Sequence, residues 1–246
     1  MKEKLYTIPV NDAMTAGDEC PLCNAYRDLT HNALDFVLGH GASYMESNIR
    51  EQTDAAGFCK PHLKMMYDYG NSLGNALILN THLNLVRKQL VYEMDHYKPN
   101  GGLFSKGEES NVEKYLQKVE DSCFVCDYID KVYERYLATF FYLFKSDPEF
   151  KDKIKNSKGF CLTHMKDLMT AAPKSLNKTE LEEFTGLLFS VQKENLDRIQ
   201  EDISWFCDKF NHTNKDADWK NSKDAIPRTM QKIAGGYPAD DPYKRS

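Results

Sequence analysis

Eight residues of this chain carry ligand chemistry at a repeated spacing. Cys20 and Cys23 stand three positions apart, and so do Cys59 and His62 in the stretch Gly57-Phe58-Cys59-Lys60-Pro61-His62. The order returns at Cys123 and Cys126, then at Cys161 and His164 in Gly159-Phe160-Cys161-Leu162-Thr163-His164. Each half thus offers three thiols and one imidazole, a complete tetrahedral set for zinc. The halves are offset by 103 positions at the Cys-x-x-Cys pairs and 102 at the Cys-x-x-His pairs, which reads as an internal duplication. Equal spacings predict that each site closes within its own half: Cys20, Cys23, Cys59 and His62 in the first, Cys123, Cys126, Cys161 and His164 in the second. An intertwined arrangement, with Cys20 and Cys23 meeting Cys161 and His164, is the alternative. Four protein ligands leave no position for water, so both sites read as structural.

Other chemistries of the same residues fit less well. A redox Cys-x-x-Cys wants a thioredoxin-like βαβ pattern, which the chain lacks. An iron–sulfur centre with a Cys3His shell stays open. The zinc deaminase pattern is missing its His-x-Glu half. Attachment of c-type haem fails because Asn24 and Asp127 follow the second cysteines. Cys207 has only His212 near ligand spacing and reads as buried filler. His31, His40, His82 and His96 have no spacing partners.

The elements that must position these ligands are helical. After an irregular lead-in over 1–19, Tyr26, Leu29, Ala33, Phe36 and Val37 recur at helical steps, and Gly39-His40-Gly41 ends that helix. A shorter helix, Tyr44 to Ala55, leads to Gly57, and another opens at His62 and stops near Gly70. Leu79, Leu83, Val86, Leu90, Met94 and Tyr97 form an apolar stripe on a long helix. The second half replays this order: a helix striped by Ile129 to Phe144, a break at Asp147-Pro148, a short helix, a piece ending near Ala171-Ala172-Pro173, and a long helix over Leu181 to Phe210. Ala225 to Ala234 is helical in an otherwise polar tail. No stretch alternates with a period of two. The fold class is therefore all-α, built from two similar helical units. The expected organisation is a first unit over 1–98, a linker over 99–111, a second unit over 112–211 and a tail over 212–246.

Composition narrows the function. Hydrophobic residues make up 41% and charged residues 28%, and Lys+Arg number 32 against 37 Asp+Glu. This weakly acidic balance disfavours nucleic acid, whose binding draws on clustered Lys and Arg. The start of the chain lacks a signal peptide's apolar core, and the run Tyr136 to Phe144 is too short to span a membrane. A cytosolic location is expected, where six cysteines in ligand pairs favour metal over disulfide.

At these motifs the chain resembles a bacterial family catalogued as domain of unknown function 6062. The resemblance rests on CPLC…GFCKPH and CFVC…GFCLTH, on the opening KLYTIPVNDA and on the tail WKNSKDAIPRTMQKIAG. It implies a bacterial, cytosolic, metal-binding protein and brings no activity or substrate. The expected function is a zinc-binding helical protein with two zinc ions per chain, acting as a non-enzymatic interaction or scaffold protein. The alternative is a thiol-based redox-responsive zinc switch or soft-metal handler. No acid, base or nucleophile constellation marks an active site, a protein partner stays open, and no membrane is expected.

Overall fold

The computed structural model describes residues 5–41, 43–98 and 109–236. Most of the expected linker, and the last residues of the tail, lie outside them. Among the described residues there are eleven α-helices and no strand: α1 (Thr7–Thr15), α2 (Pro21–Leu38), α3 (Ser47–Ala56), α4 (Lys60–Tyr69), α5 (Ser72–Asp95), α6 (Asn111–Asp121), α7 (Phe124–Ser146), α8 (Pro148–Lys155), α9 (Leu162–Ser175), α10 (Lys178–Asp208) and α11 (Ala225–Ala234). None is long and apolar enough to cross a membrane.

Local chemistry sets most of these ends. Gly70, in the left-handed region, caps α4. Asn177 and Glu180 form a capping box that starts α10, as Ser110 and Glu113 do for α6. Asp147 caps α8 with Pro148 in its first turn. Two expectations need correction. The lead-in over 1–19 contains α1, which buries Val10, Ala13 and Met14. The break expected at Ala171-Ala172-Pro173 is absent, because Pro173 falls in the last turn of α9 and its missing N–H costs only one bond near the helix end.

The chain forms two compact units. Among the described residues, one is built from those up to Leu29 and from Lys131 to Gly236; the other comprises those of Thr30–Asp130. The helices α2 and α7 each contribute to both, so the units interleave in sequence and do not follow its two halves.

The core of the first unit is aromatic. Phe140, Phe141, Phe144, Phe150, Phe160 and Phe184 are fully buried. Phe140 meets Phe150 edge-on with ring centroids 5.1 Å apart, and Phe184 meets Phe141 and Phe144 at 5.1 and 5.3 Å in the same way. Such contacts add about 0.5–1.5 kcal/mol each beyond burial.

The second unit buries Leu34, Val37 and Leu38 of α2 with Ile49, Met66 and Ile78. Asn71 ties this packing together, accepting from the Gly74 N–H to cap α5 and donating from Nδ2 to the Leu38 carbonyl at 2.8 Å. The stripe read on α5 is not core. Leu79, Leu83, Met94 and Tyr97 are exposed, and the buried residues of α5 are Gly74 and Ile78.

Candidate metal centres

The two ligand sets come together across the halves, not within them. Cys20, Cys23, Cys161 and His164 form one group, all buried; Cys59, His62, Cys123 and Cys126 form the other. Within each group all ligand atoms lie within 4.8 Å of one another. The expectation of local closure is therefore corrected. Spacing along the chain is the same for the local and the exchanged pairing, and contacts between residues distant in sequence hold the exchanged one: the Phe124 N–H donates to the Gly57 carbonyl, setting the Cys123 segment of one half against the Cys59 segment of the other.

Each pair sits at a helix start. Cys20 and Cys123 immediately precede α2 and α7, Cys23 and Cys126 lie in their first turns, and Cys59 and Cys161 are the N-caps of α4 and α9. Unpaired backbone N–H groups at these starts favour thiolate. The His164 N–H points to Cys161 Sγ at 3.4 Å and the Cys126 N–H to Cys123 Sγ at 3.5 Å.

The glycine before each Phe-Cys sets the approach. Gly57 has φ 60°, and a Cβ there would meet the His82 ring at 2.6 Å. Gly159 has φ 74°, with Gln192 Oε1 3.0 Å from where its Cβ would stand. His82 is in turn fixed by the Asp54 carbonyl at 2.8 Å. Gln192 clamps Phe160, accepting from its N–H at 3.0 Å and donating to its carbonyl at 2.9 Å. In the other unit the Phe124 N–H donates to the Gly57 carbonyl at 2.9 Å, joining the two ligand segments directly.

The donor spacings are close to those around one tetrahedral ion, with the sulfur–sulfur distances in range and the nitrogen–sulfur distances slightly short of it. Zinc bound at about 2.3 Å to sulfur and about 2.0–2.1 Å to nitrogen sets neighbouring ligand atoms about 3.5–3.8 Å apart. At the first centre His164 Nδ1 lies 3.3, 3.4 and 3.2 Å from the sulfurs of Cys20, Cys23 and Cys161, and Cys23 Sγ is 3.7 Å from Cys161 Sγ. At the second, His62 Nδ1 lies 3.2, 3.3 and 3.4 Å from Cys59, Cys123 and Cys126, and Cys59 Sγ is 3.8 Å from Cys126 Sγ. Both groups could hold a metal ion through the same imidazole nitrogen.

Without metal, the close contacts pull the ligands' proton affinities apart. Hydrogen bonds from Cys20 and Cys23, outweighing burial, hold Cys161 far below the ordinary thiol range. Burial and the neighbouring sulfurs push Cys20 well above it. Although burial opposes it, contact with Cys161 and Cys23 pushes the His164 imidazole up to about 9. At the second centre burial is again overcome, and the His62 contact lowers Cys123 to about 6. Burial, with Cys123 beside it, raises Cys126.

The tail supplies parts of the first centre that the sequence reading missed. The Gly236 N–H donates to Cys23 Sγ at 3.3 Å, and Gly235 lies against the sulfurs of Cys161 and Cys23. The helix α11 faces its polar side inward. Arg228, Gln231 and Lys232 are buried while Ile226, Met230 and Ile233 are exposed. Lys232 Nζ donates to the carbonyls of Glu19 and Lys158 at 2.7 and 2.6 Å, and Gln231 donates to Asp18 at 2.7 Å. The signal was present as three polar residues at i, i+3 and i+4, a spacing that defines one helix face.

Cys207 is exposed on α10, which corrects its reading as buried filler, and it belongs to neither group. His212 lies in an exposed 3-10 turn. No curated protein and no solved structure matches the chain. The chain belongs to the family of unknown function DUF6062, which it matches over residues 1–240.

Proposed function

We propose that this protein is a cytosolic, zinc-stabilised helical scaffold whose two ions each join a pair of helix starts, and that it serves interaction and not catalysis. The carrying observation is the donor set: three sulfurs and one nitrogen within 4.8 Å of one another, enough to fill a tetrahedral shell and leave no coordination position for a substrate. Zinc is favoured over an iron–sulfur cluster by the same distances. In a cluster, inorganic sulfide holds the irons apart, so ligands on different irons stand farther from one another than these do. The helix order α2–α3–α4–α5 is repeated by α7–α8–α9–α10, which supports an internal duplication whose ligand pairs were exchanged between copies.

Exposure supports a second reading for one centre. Cys59 and Cys126 are half-buried, whereas every ligand of the first centre is buried. A thiol-based role, as a redox-responsive switch or soft-metal donor, would use these two sulfurs. Elemental analysis of protein purified without added metal tests the proposal and should give two zinc equivalents per chain. Alkylation of the native protein, followed by peptide mass mapping, tests the second reading. Resistance of all eight ligands supports the scaffold; modification of Cys59 and Cys126 with release of one zinc supports a working thiol centre. Protein that is folded, metal-free and fully alkylated would overturn both.

A further inference from the structure

A charged cleft beside the first centre holds a buried carboxylate oxygen with no donor. Glu19 is 3% exposed. Its Oε2 accepts from Arg198 Nη2 at 2.5 Å and lies 3.5 Å from Lys232 Nζ. Its Oε1 is buried and has no hydrogen-bond partner. Arg228 Nη1 at 3.8 Å and Lys158 Nζ at 4.0 Å stand beyond hydrogen-bond reach of it. Buried acceptors in folded proteins are nearly always satisfied, so this one asks for a donor. Glu19 lines a cleft of about 340 Å³, room enough for a small molecule.

The charges around the cleft decide what kind of molecule fits. Arg228 pairs with Asp202 and Asp224, each at 2.8 Å. The two arginines and Lys158 thus balance Glu19, Asp202 and Asp224. Lys220 and Lys223 also line the cleft and leave two positive charges in excess. Lys220 is the only non-glycine among the described residues with positive φ, at 51°. Its ammonium is held 4.3 Å from the Trp205 ring centroid. Backbone conformations of this kind concentrate at ligand sites.

One ligand class answers both features: an oxyanion of charge near −2 that also carries an O–H. Hydrogen phosphate is its smallest member. Sulfate has the same shape and charge but no hydrogen to donate. We propose that this cleft binds free hydrogen phosphate. Glu19 Oε1 accepts the P–OH hydrogen, and Lys220 and Lys223 hold the negative oxygens. Charge-assisted hydrogen bonds of this sort are the strong ones. The proposal is independent of the scaffold reading, since it needs only the folded first unit.

Calorimetric titration of the full chain carrying its metal, at low ionic strength, tests it with inorganic phosphate against sulfate. Phosphate should bind in the millimolar range or tighter, and sulfate at least about tenfold more weakly. The double variant Lys220→Ala/Lys223→Ala, changed only at exposed positions, should weaken phosphate by about tenfold. Glu19→Gln should narrow the phosphate–sulfate gap, because its amide N–H can donate to either anion. Because that variant disturbs a buried ion-pair cluster, the lysine pair provides an independent reading in a protein whose metal content is checked. Absence of phosphate binding, equal affinity for phosphate and sulfate, or unchanged binding in the lysine variant would each overturn the proposal.

Discussion

The two centres share donor types, helix-start placement and imidazole nitrogen, yet their surroundings differ. The first is sealed: all four ligands are buried, the tail closes over Cys23 and Cys161, and the ammonium of Lys232 sits behind Glu19, next to Cys20 in sequence. The second leaves two of its three sulfurs half-buried. A Cys3His shell around zinc carries a net charge of about −1. At the first centre α11 brings buried cations and a backbone N–H toward that charge, while at the second, water can reach it. The ligand motif fixes the coordination chemistry, and the neighbouring helices fix how far that chemistry is shielded.

Removing one ligand from each centre tests this contrast, and the largest effect is expected at the sealed one. Cys161→Ser should lose one metal equivalent and destabilise its unit by on the order of 5 kcal/mol. That is less than the ~10 kcal/mol or more zinc gives small isolated peptides, because the phenylalanine cluster remains. Cys126→Ser should also lose one equivalent, at roughly half the cost, since a half-buried site gives up less packing. Metal analysis with thermal unfolding followed by circular dichroism checks both. Equal losses would show that the tail's cover adds nothing.

The pH dependence of metal binding should separate the centres next. A metal-bound imidazole must be neutral, and without metal His164 holds its proton up to about 9. Its raised pKa stabilises the metal-free fold fully below the ordinary histidine value, and that contribution is lost as pH rises through about 9. Zinc affinity at the first centre should therefore climb as pH rises toward 9, His164 adding close to one proton released per ion over that range. At the second centre Cys123, lowered to about 6, is already thiolate at neutral pH. Its share of proton competition should set in only as pH falls through about 6. Competition titrations with a chromophoric zinc chelator over roughly pH 5.5–9, the span of these two groups, would measure both. A first-centre affinity that stays level as pH rises toward 9 would contradict the assignment.

The smallest effect is expected at Cys207. It is exposed and outside both ligand groups, so Cys207→Ala should leave two metals in place and change stability by less than about 0.5 kcal/mol. Loss of a metal equivalent in this variant would mean that one ligand set is misassigned.

The sequence by itself determined a good deal. Helical periodicity and the glycine breaks located most of the helices, and Ala225–Ala234 coincides with α11. The eight candidate ligands were legible because two doubled spacings favour metal over the other uses of the same residues, and the structure brings them together in two groups. The stripe on α5 misled because periodicity reports an amphipathic face without saying whether anything covers it: Leu83 is 65% exposed. The tail is the opposite case. Helical spacing located α11 without saying which face is covered, and Arg228 and Lys232 are buried because Glu19 and Asp202 meet them there.

Only the tertiary structure decided which cysteines stand together. Spacing along the chain is symmetric between the local and the exchanged pairing, so it cannot choose. The choice is made by contacts between residues distant in sequence: the Phe124 N–H donates to the Gly57 carbonyl at one centre, and Gly235 and Gly236 lie against the sulfurs at the other.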